Sequence, residues 1–231
     1  MLEITPAEWT AILLSLRVAA VATLVATPLG VALAWLLARR DFWGKSLVDA
    51  LVHLPLVLPP VVTGYLLLLT FGRRGLVGAW LADHLGIVFA FRWTGAALAC
   101  GVMSFPLLVR PMRLSIEAVD QRLEQAAETL GATPWWVFLS VTLPLSLPGV
   151  FAGMVLGFAK AIGEFGATIT FVSNIPGETQ TISSAIYSLI QTPDGDTAAL
   201  RLVAISVVIA IAALIGSEWF ARRATRRLHG N

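Results

Sequence analysis

Residues 124–144 read EQAAETLGATPWWVFLSVTLP, a polar half followed by an aromatic, apolar half. The first residues of the stretch are good helix formers, and Gly131 suits the left-handed turn in which a helix stops. Thr133 can cap a second helix, whose first turn accepts Pro134 because no partner is needed there for the missing N–H. Pro144 then ends that second helix. The stretch predicts two short helices, joined by a bend, at a membrane surface.

The composition of the whole chain indicates a polytopic membrane protein. Of its 231 residues, 57% are hydrophobic and only 13% are charged, and the mean hydropathy is +0.81. Soluble domains carry roughly 25% charged residues. The net charge is +2, and the basic residues cluster at the ends of apolar segments. That arrangement is typical of topology control and gives no reason to expect a nucleic acid partner.

The sequence gives no sign of catalysis or of a bound cofactor. Cys100 is the single cysteine, and no Cys/His group has the spacing of metal ligands. The chain contains no G-x-x-x-x-G-K-[ST] loop, no G-x-S-x-G elbow and no paired His-Glu zinc motif. We therefore expect a non-enzymatic chain without metal or cofactor, in which any ATP chemistry belongs to another subunit.

A spanning helix needs about 20 mostly apolar residues, and five segments of the chain qualify. Pro55, Pro59 and Pro60 interrupt the second segment, which predicts a broken or strongly bent span, with a simple proline kink as the alternative. Short helices are expected near 76–85 and 181–191. The five predicted spans cover about residues 11–38, 47–71, 93–113, 145–163 and 198–219.

Positive charges orient such a bundle, because the loops rich in Lys and Arg stay in the cytoplasm. Basic residues cluster at 39–45, 110–122 and 222–227. The predicted topology therefore has five spans, with the N-terminus outside and the C-terminus in the cytoplasm. A sixth span made from part of 164–190 is the alternative, and it would put both termini on the same side.

Several polar residues lie at and after the end of the fourth predicted span, and they indicate part of a transport path or gate. Lys160 and Glu164 are four residues apart and share a helix face, so they can form an ion pair. The alternative is that this pair only positions the end of a span. Nearby hydroxyl and amide groups could hydrate a passing anion weakly enough to release it. The residues predicted for the path or gate are Pro59, Pro60, Glu164, Thr168, Ser173 and Asn174.

The stretch 124–144 resembles the signature of binding-protein-dependent ABC importer permeases. That signature reads Glu-Ala-Ala, three residues, Gly, nine residues, Ile, one residue, Leu-Pro. Gln125 replaces the Glu, which puts any salt bridge of that Glu in question, and Val141 replaces the Ile. Without the signature, the stretch would be an interfacial elbow resting its tryptophans in the headgroups. The matching positions are Gln125, Ala126, Ala127, Gly131, Val141, Leu143 and Pro144.

Two further stretches resemble the molybdate/tungstate branch of that family, with the sulfate permeases close behind. They are HLPLVLPPVVTGYLLL at 53–68 and GEFGATITFVSNIPGE at 163–178. The resemblance implies an all-α bundle of the type I ABC importer permease kind. It also implies one permease domain over 1–231, with 124–144 as the cytoplasmic coupling loop that docks onto the ATPase.

The same resemblance implies how the protein works and what it works with. The expected function is import of molybdate, or tungstate, by alternating access. The expected assembly contains a second copy of the chain, two cytoplasmic ATPase subunits and a periplasmic oxyanion-binding protein, in the bacterial inner membrane. Two alternatives remain open: a sulfate/thiosulfate importer, and an ion-coupled secondary carrier, which would need a coupling carboxylate near mid-membrane.

Overall fold

The computed structural model describes residues 4–228, with side chains for 4–213, 215 and 216. Within that range the chain folds into helices joined by turns, and it forms no strand. The predicted all-α class is therefore confirmed. The α-helices are α1 (Pro6–Arg39), α2 (Lys45–Val57), α3 (Pro60–Phe71), α4 (Leu76–Leu85), α5 (Trp93–Glu117), α6 (Gln121–Thr129), α7 (Pro134–Val137), α8 (Leu143–Ile162), α9 (Gly166–Val172), α10 (Ile182–Leu189) and α11 (Asp196–Leu228).

The number of apolar helices agrees with the prediction of five spans. In the described part of the chain, four helices are long and apolar enough to cross a membrane. Helices α2 and α3 would together form a fifth, bent by 115° at the break before Pro60. The second span is thus sharply broken, as predicted, and not merely kinked. The four continuous candidates are Pro6–Arg39, Trp93–Glu117, Pro134–Ile162 and Asp196–Ala213.

The alternative of a sixth span between 164 and 190 is not supported. That part of the described chain holds only α9, with 7 residues, and α10, with 8 residues. Each is far shorter than the roughly 20 residues that a spanning helix needs. The polar turn between them, which includes Gly177 at a φ of +80°, separates the two helices.

The prediction that Pro144 ends the second elbow helix is wrong. A five-residue π-helix, Phe138–Thr142, joins α7 to α8, so Pro134–Ile162 runs on as one 29-residue span. The Leu143 N–H reaches back to the Phe138 carbonyl across this wide turn. Pro144 then lies in the first turn of α8, where its missing N–H is tolerated. The fourth span therefore begins in the elbow itself and not at residue 145.

Helices α1, α5 and α8 form the centre of the bundle, packed around Leu108. The Leu108 side chain is fully buried and lies against Gly30 of α1 and Gly157 of α8, while the Leu108 carbonyl lies against Gly153 of α8. Small residues allow helix backbones to approach closely, which is the main source of packing energy between helices in a membrane. This core holds the ends of α1 and α8 in fixed positions next to the elbow.

Two further contacts tie the remaining helices to the centre. Glu8, near the start of α1, forms an ion pair with Arg201 of α11 at 2.8 Å. The backbone N–H of Ile182, where α10 begins, donates to the Ser15 hydroxyl of α1 at 2.7 Å. Helix α10 and the start of α11 are therefore held beside the first half of α1, at the end of the bundle opposite the elbow.

Candidate functional site

The bend in the elbow, residues 124–144, has the predicted local geometry. Helix α6 ends at Thr129, and Gly131 follows with a φ of +89°. The Ala132 N–H then donates to the Ala127 carbonyl at 3.1 Å, which satisfies an acceptor at the helix end. The Thr133 hydroxyl caps α7 by accepting a hydrogen bond from the Trp136 N–H.

The seven signature positions do not form one surface, because the elbow divides them into two groups. Gln125, Ala126 and Gly131 are exposed, and Ala127 is half-buried beside them. The other group lies in the candidate span Pro134–Ile162 and is half-buried; its members are Val141, Leu143 and Pro144. Leu143 packs against the α1–α5–α8 core.

Exposed apolar side chains surround the first signature group. Leu130 is 89% exposed, and Trp135 and Trp136 are also largely exposed. Such a cluster at a helix bend is typical of a surface that meets a partner or the membrane interface. The polar helix α6 and this apolar tip thus present one continuous outer face.

A buried ion pair lies beneath that face, and the sequence analysis did not identify it. The Arg39 guanidinium donates from Nε and Nη2 to Oε1 of Glu124, at 3.1 and 3.0 Å. The Thr142 hydroxyl donates to the same oxygen at 2.6 Å, and Arg39 Nη2 also reaches the Val119 carbonyl at 3.0 Å. The Arg39 and Glu124 side chains are only 8% and 15% exposed. We call these four residues the elbow clamp.

The predicted Lys160–Glu164 pair is confirmed. Lys160 Nζ lies 2.7 Å from Glu164 Oε2, and the Glu164 side chain is 2% exposed. The other carboxylate oxygen of Glu164 accepts a hydrogen bond from the Ala167 N–H at 3.0 Å. Both oxygens are therefore occupied, and the side chain joins the end of α8 to the start of α9.

The six predicted path residues fall into two groups at opposite ends of α9. Pro60 packs against Gly166, so α3 begins next to Glu164 and the buried Thr168, with Pro59 just before it. At the other end of α9, Ser173 is exposed with a φ of +65°, and the Asn174 amide donates to the Ser188 hydroxyl at 2.7 Å. The structure brings the first group together and leaves the second a helix length away.

Two cations on helices of the bundle, Arg113 and Arg17, are already engaged by other groups. Arg113 binds Asp49 at 2.9 Å and Glu117 at 2.8 Å. Arg17 stacks over the Trp93 ring at 3.8 Å. Within the described part of the chain, no group of three or more His, Cys, Asp or Glu residues could hold a metal ion. A tetrahedral dianion would need several free donors at one point.

A cavity in the bundle has no charged lining either. It measures about 650 Å³ and lies between α1, α2 and α5. Apolar side chains such as Val25, Leu51 and Phe105 line it, and no charged residue does. A dianion would lose its hydration there without compensation. The cavity is therefore an apolar surface of the bundle and not an ion site.

Comparison with known proteins identifies what the chain is similar to. Residues 26–226 match the family described as "Binding-protein-dependent transport system inner membrane component". The molybdenum transport system permease protein ModB of Escherichia coli strain K12 is 59% identical over 224 residues, covering 97% of this chain and 98% of the relative. ModB of Haemophilus influenzae is 55% identical over 221 residues, 96% of each chain.

More distant proteins share the family or the fold. The sulfate transport system permease protein CysT of Escherichia coli is 39% identical over 186 residues, covering 80% of this chain and 65% of the relative. A crystal structure of a bacterial ABC transporter for import of alginate superposes with a TM-score of 0.74 at 20% identity. That match covers 95% of this chain and 80% of the other. At such low identity the structural likeness speaks for the fold alone.

Proposed function

This chain belongs to the family of binding-protein-dependent transport system inner membrane components, and we propose that it is the permease subunit of an ATP-driven molybdate importer. The observation that carries the proposal is the full-length similarity to molybdenum permeases. The permease is a multi-pass protein of the inner membrane and is itself non-catalytic. ATP hydrolysis belongs to a separate subunit.

The alternatives have weaker support. Sulfate and thiosulfate form the second candidate substrate class. This class ranks below molybdate because the sulfate relative is less similar and its match covers less of both chains. Tungstate, a tetrahedral dianion like molybdate, is a further candidate cargo. An ion-coupled secondary carrier does not fit the family. Its best coupling carboxylate, Glu164, is also already occupied by Lys160 and the Ala167 N–H.

The working assembly contains two copies of this chain, two ATPase subunits and a periplasmic oxyanion-binding protein. The N-terminus lies outside, and the C-terminus and the elbow lie in the cytoplasm. Charge supports this orientation, since Arg39, at the end of α1, contacts the elbow directly, and Arg122 lies in α6. The structure does not describe the side chains of the third basic cluster, 222–227.

The elbow is the coupling loop that docks onto the ATPase, within a single permease domain spanning 1–231. Gln125, Ala126, Ala127 and Gly131 present a face of small side chains that a partner groove can approach closely, with Leu130 at its tip. The second signature group anchors the elbow in the span. Because α7 continues into α8 through the π-helix, a force that the ATPase applies to the docked face is transmitted to the fourth span as a whole.

Pro59, Pro60, Glu164, Thr168, Ser173 and Asn174 contribute to the path or gate. The break between α2 and α3 and the short helix α9 support this assignment, because irregular backbone at membrane depth is tolerated where it lines a cavity or is buried in protein. Ion selection then rests with the binding protein, since Arg17 and Arg113 are engaged by other groups.

The experiment is purification of the detergent-solubilised chain after expression with its neighbouring genes, followed by native mass spectrometry. We expect an assembly of two permease copies with two ATPase subunits, and hydrolysis of ATP that rises when molybdate-loaded binding protein is added. A chain that purifies alone and still carries molybdate across vesicles without ATP would contradict the proposal.

A further inference from the structure

We propose that Glu124 is a positioning residue that fastens the coupling loop to the first span, so that displacement of the elbow moves α1 together with α8. The elbow clamp, Arg39, Val119, Glu124 and Thr142, is the structural basis. The inference rests on the proposed function, because it concerns how a docked ATPase drives the bundle.

The connections of the elbow show why such a link is needed. At one end α6 follows α5 after a short turn, and at the other the elbow continues into α8. Helix α1 is not adjacent to the elbow in sequence, since Arg39 and Glu124 are 85 positions apart. It meets the elbow through the clamp and through Trp35, whose ring packs edge-on against Phe138 at 5.8 Å between centroids.

These two contacts differ mechanically. The aromatic edge contact has a preferred geometry, but it contains no charge-assisted bond between the two helices. The clamp is directional, because one carboxylate oxygen accepts two N–H bonds from Arg39 and one O–H bond from Thr142. Charge-assisted hydrogen bonds are shorter and roughly twice as strong as neutral ones, and these three meet at one oxygen atom. The clamp therefore resists sliding between α1 and the elbow.

Burial strengthens the clamp. At 8% and 15% exposure the Arg39 and Glu124 side chains are largely out of water, so removal of either partner leaves a poorly compensated charge. The Thr142 donor belongs to the π-helix, a feature that is rare and found frequently at functional sites. One oxygen of Glu124 thus joins the end of α1 to the turn that begins the fourth span, and Arg39 also binds the link after α5 through the Val119 carbonyl.

A nearby ion pair supplies a matched control. Asp41 and Lys45 lie 2.8 Å apart just after α1, but the Asp41 side chain is 98% exposed and the pair is local in sequence. Exposed pairs of this kind contribute little. Asp41→Asn removes one negative charge from the same end of the bundle and leaves the contacts of the elbow unchanged.

The test compares wild type, Glu124→Gln, Arg39→Gln, the exchange Arg39→Glu with Glu124→Arg, and the control Asp41→Asn. Each complex is reconstituted in proteoliposomes with loaded binding protein, and molybdate uptake is measured per ATP hydrolysed. We expect the single clamp variants to keep their ATPase subunits and to hydrolyse ATP, while uptake per ATP falls at least tenfold. The exchange variant recovers part of that ratio, and Asp41→Asn matches wild type.

The outcomes separate this inference from the proposed function. Absence of ATP-dependent molybdate uptake by wild type contradicts the proposed function itself. Normal uptake per ATP in Glu124→Gln, with wild type active, overturns the inference alone. Parallel loss of hydrolysis and uptake at an unchanged ratio also overturns it, because the residue would then only hold the fold. If Arg39→Gln fails to insert, the near-isosteric Glu124→Gln variant decides.

Discussion

At the scale of single residues, the most demanding position in the elbow is Gly131. Its φ of +89° lies in the left-handed region, and a Cβ added there would meet nothing within 4 Å. The obstacle to substitution is therefore the backbone conformation and not a neighbouring atom. The glycine sets the angle between α6 and α7, on which the exposed signature face depends.

We expect Gly131→Val to weaken ATPase attachment while membrane insertion stays normal. Holding a β-branched residue in this conformation costs about 1–2 kcal/mol, which corresponds to a roughly 5- to 30-fold loss of affinity if the docked state must retain it. Attachment is measured by titrating the purified permease with its ATPase, and stimulated hydrolysis is measured in proteoliposomes.

Two other variants make the Gly131 measurement specific. Gly131→Asn is the tolerant substitution, because Asn adopts the left-handed conformation readily. Gly86→Val is the matched control, since Gly86 has a φ of +66° and open space around it but ends α4, far from the elbow in sequence. Full ATPase affinity in Gly131→Val would mean that the elbow is only an interfacial anchor.

Single residues also show which part of the site could be predicted from the sequence and which could not. The bend, its glycine and its Thr133 cap follow from local rules and were predicted. The elbow clamp was missed because Arg39 and Glu124 are brought together only by packing of α1 against the bundle. No local pattern identifies a partner at that separation, although a Glu in the first turn of α6 was visible in the sequence.

At the scale of elements, proline positions carried the most information and led to one wrong prediction. Pro59 and Pro60, at the start of α3, led to the prediction of a break, and α2 and α3 meet there at a bend of 115°. Pro144 was wrongly expected to end a helix, because single-sequence rules do not anticipate a π-helix immediately before it. Helix lengths were predicted well wherever the apolar run was continuous, as in α1 and α5.

The close pairing of α3 and α9 gives a prediction at this scale. A Cβ added to Gly64 would lie 2.5 Å from the Ala167 carbonyl oxygen, a backbone atom that cannot easily move. We expect Gly64→Ala to lower the free energy of unfolding by about 1–3 kcal/mol, the usual cost of overpacking. Thermal unfolding in detergent, followed by size-exclusion fluorescence, measures the loss.

The control for that prediction is Gly101→Ala in α5. A Cβ there would meet only Ala22 atoms at 3.8 and 4.0 Å, which is ordinary contact. We expect this variant to unfold at the wild-type temperature. Equal stability of the Gly64→Ala and Gly101→Ala variants would show that α3 and α9 do not pack as closely as described here.

At the scale of the whole molecule, the central question is which side of the membrane the elbow faces. The basic residues at 110–122 directly precede the elbow in sequence, and Arg39 of the cluster at 39–45 contacts it in space. The polar turn between α9 and α10 lies at the opposite end of the fold. The positive-inside rule then predicts that the elbow lies in the cytoplasm and the turn outside.

Cysteine labelling in intact cells tests this topology. In a Cys100→Ala background, single cysteines replace Glu128 in the elbow and Glu178 in the turn, both of which are exposed in the native fold. An impermeant thiol reagent is expected to label position 178 from outside and to label position 128 only after the cells are opened. External labelling of position 128 would invert the proposed orientation.

The most direct test of the account is uptake of labelled molybdate into proteoliposomes that contain the permease, its ATPase and the binding protein. We expect accumulation only when ATP and loaded binding protein are both present, with little competition from excess sulfate because the cargo is selected before it reaches the permease. Uptake that continues without ATP, or that follows an ion gradient instead, would contradict the account.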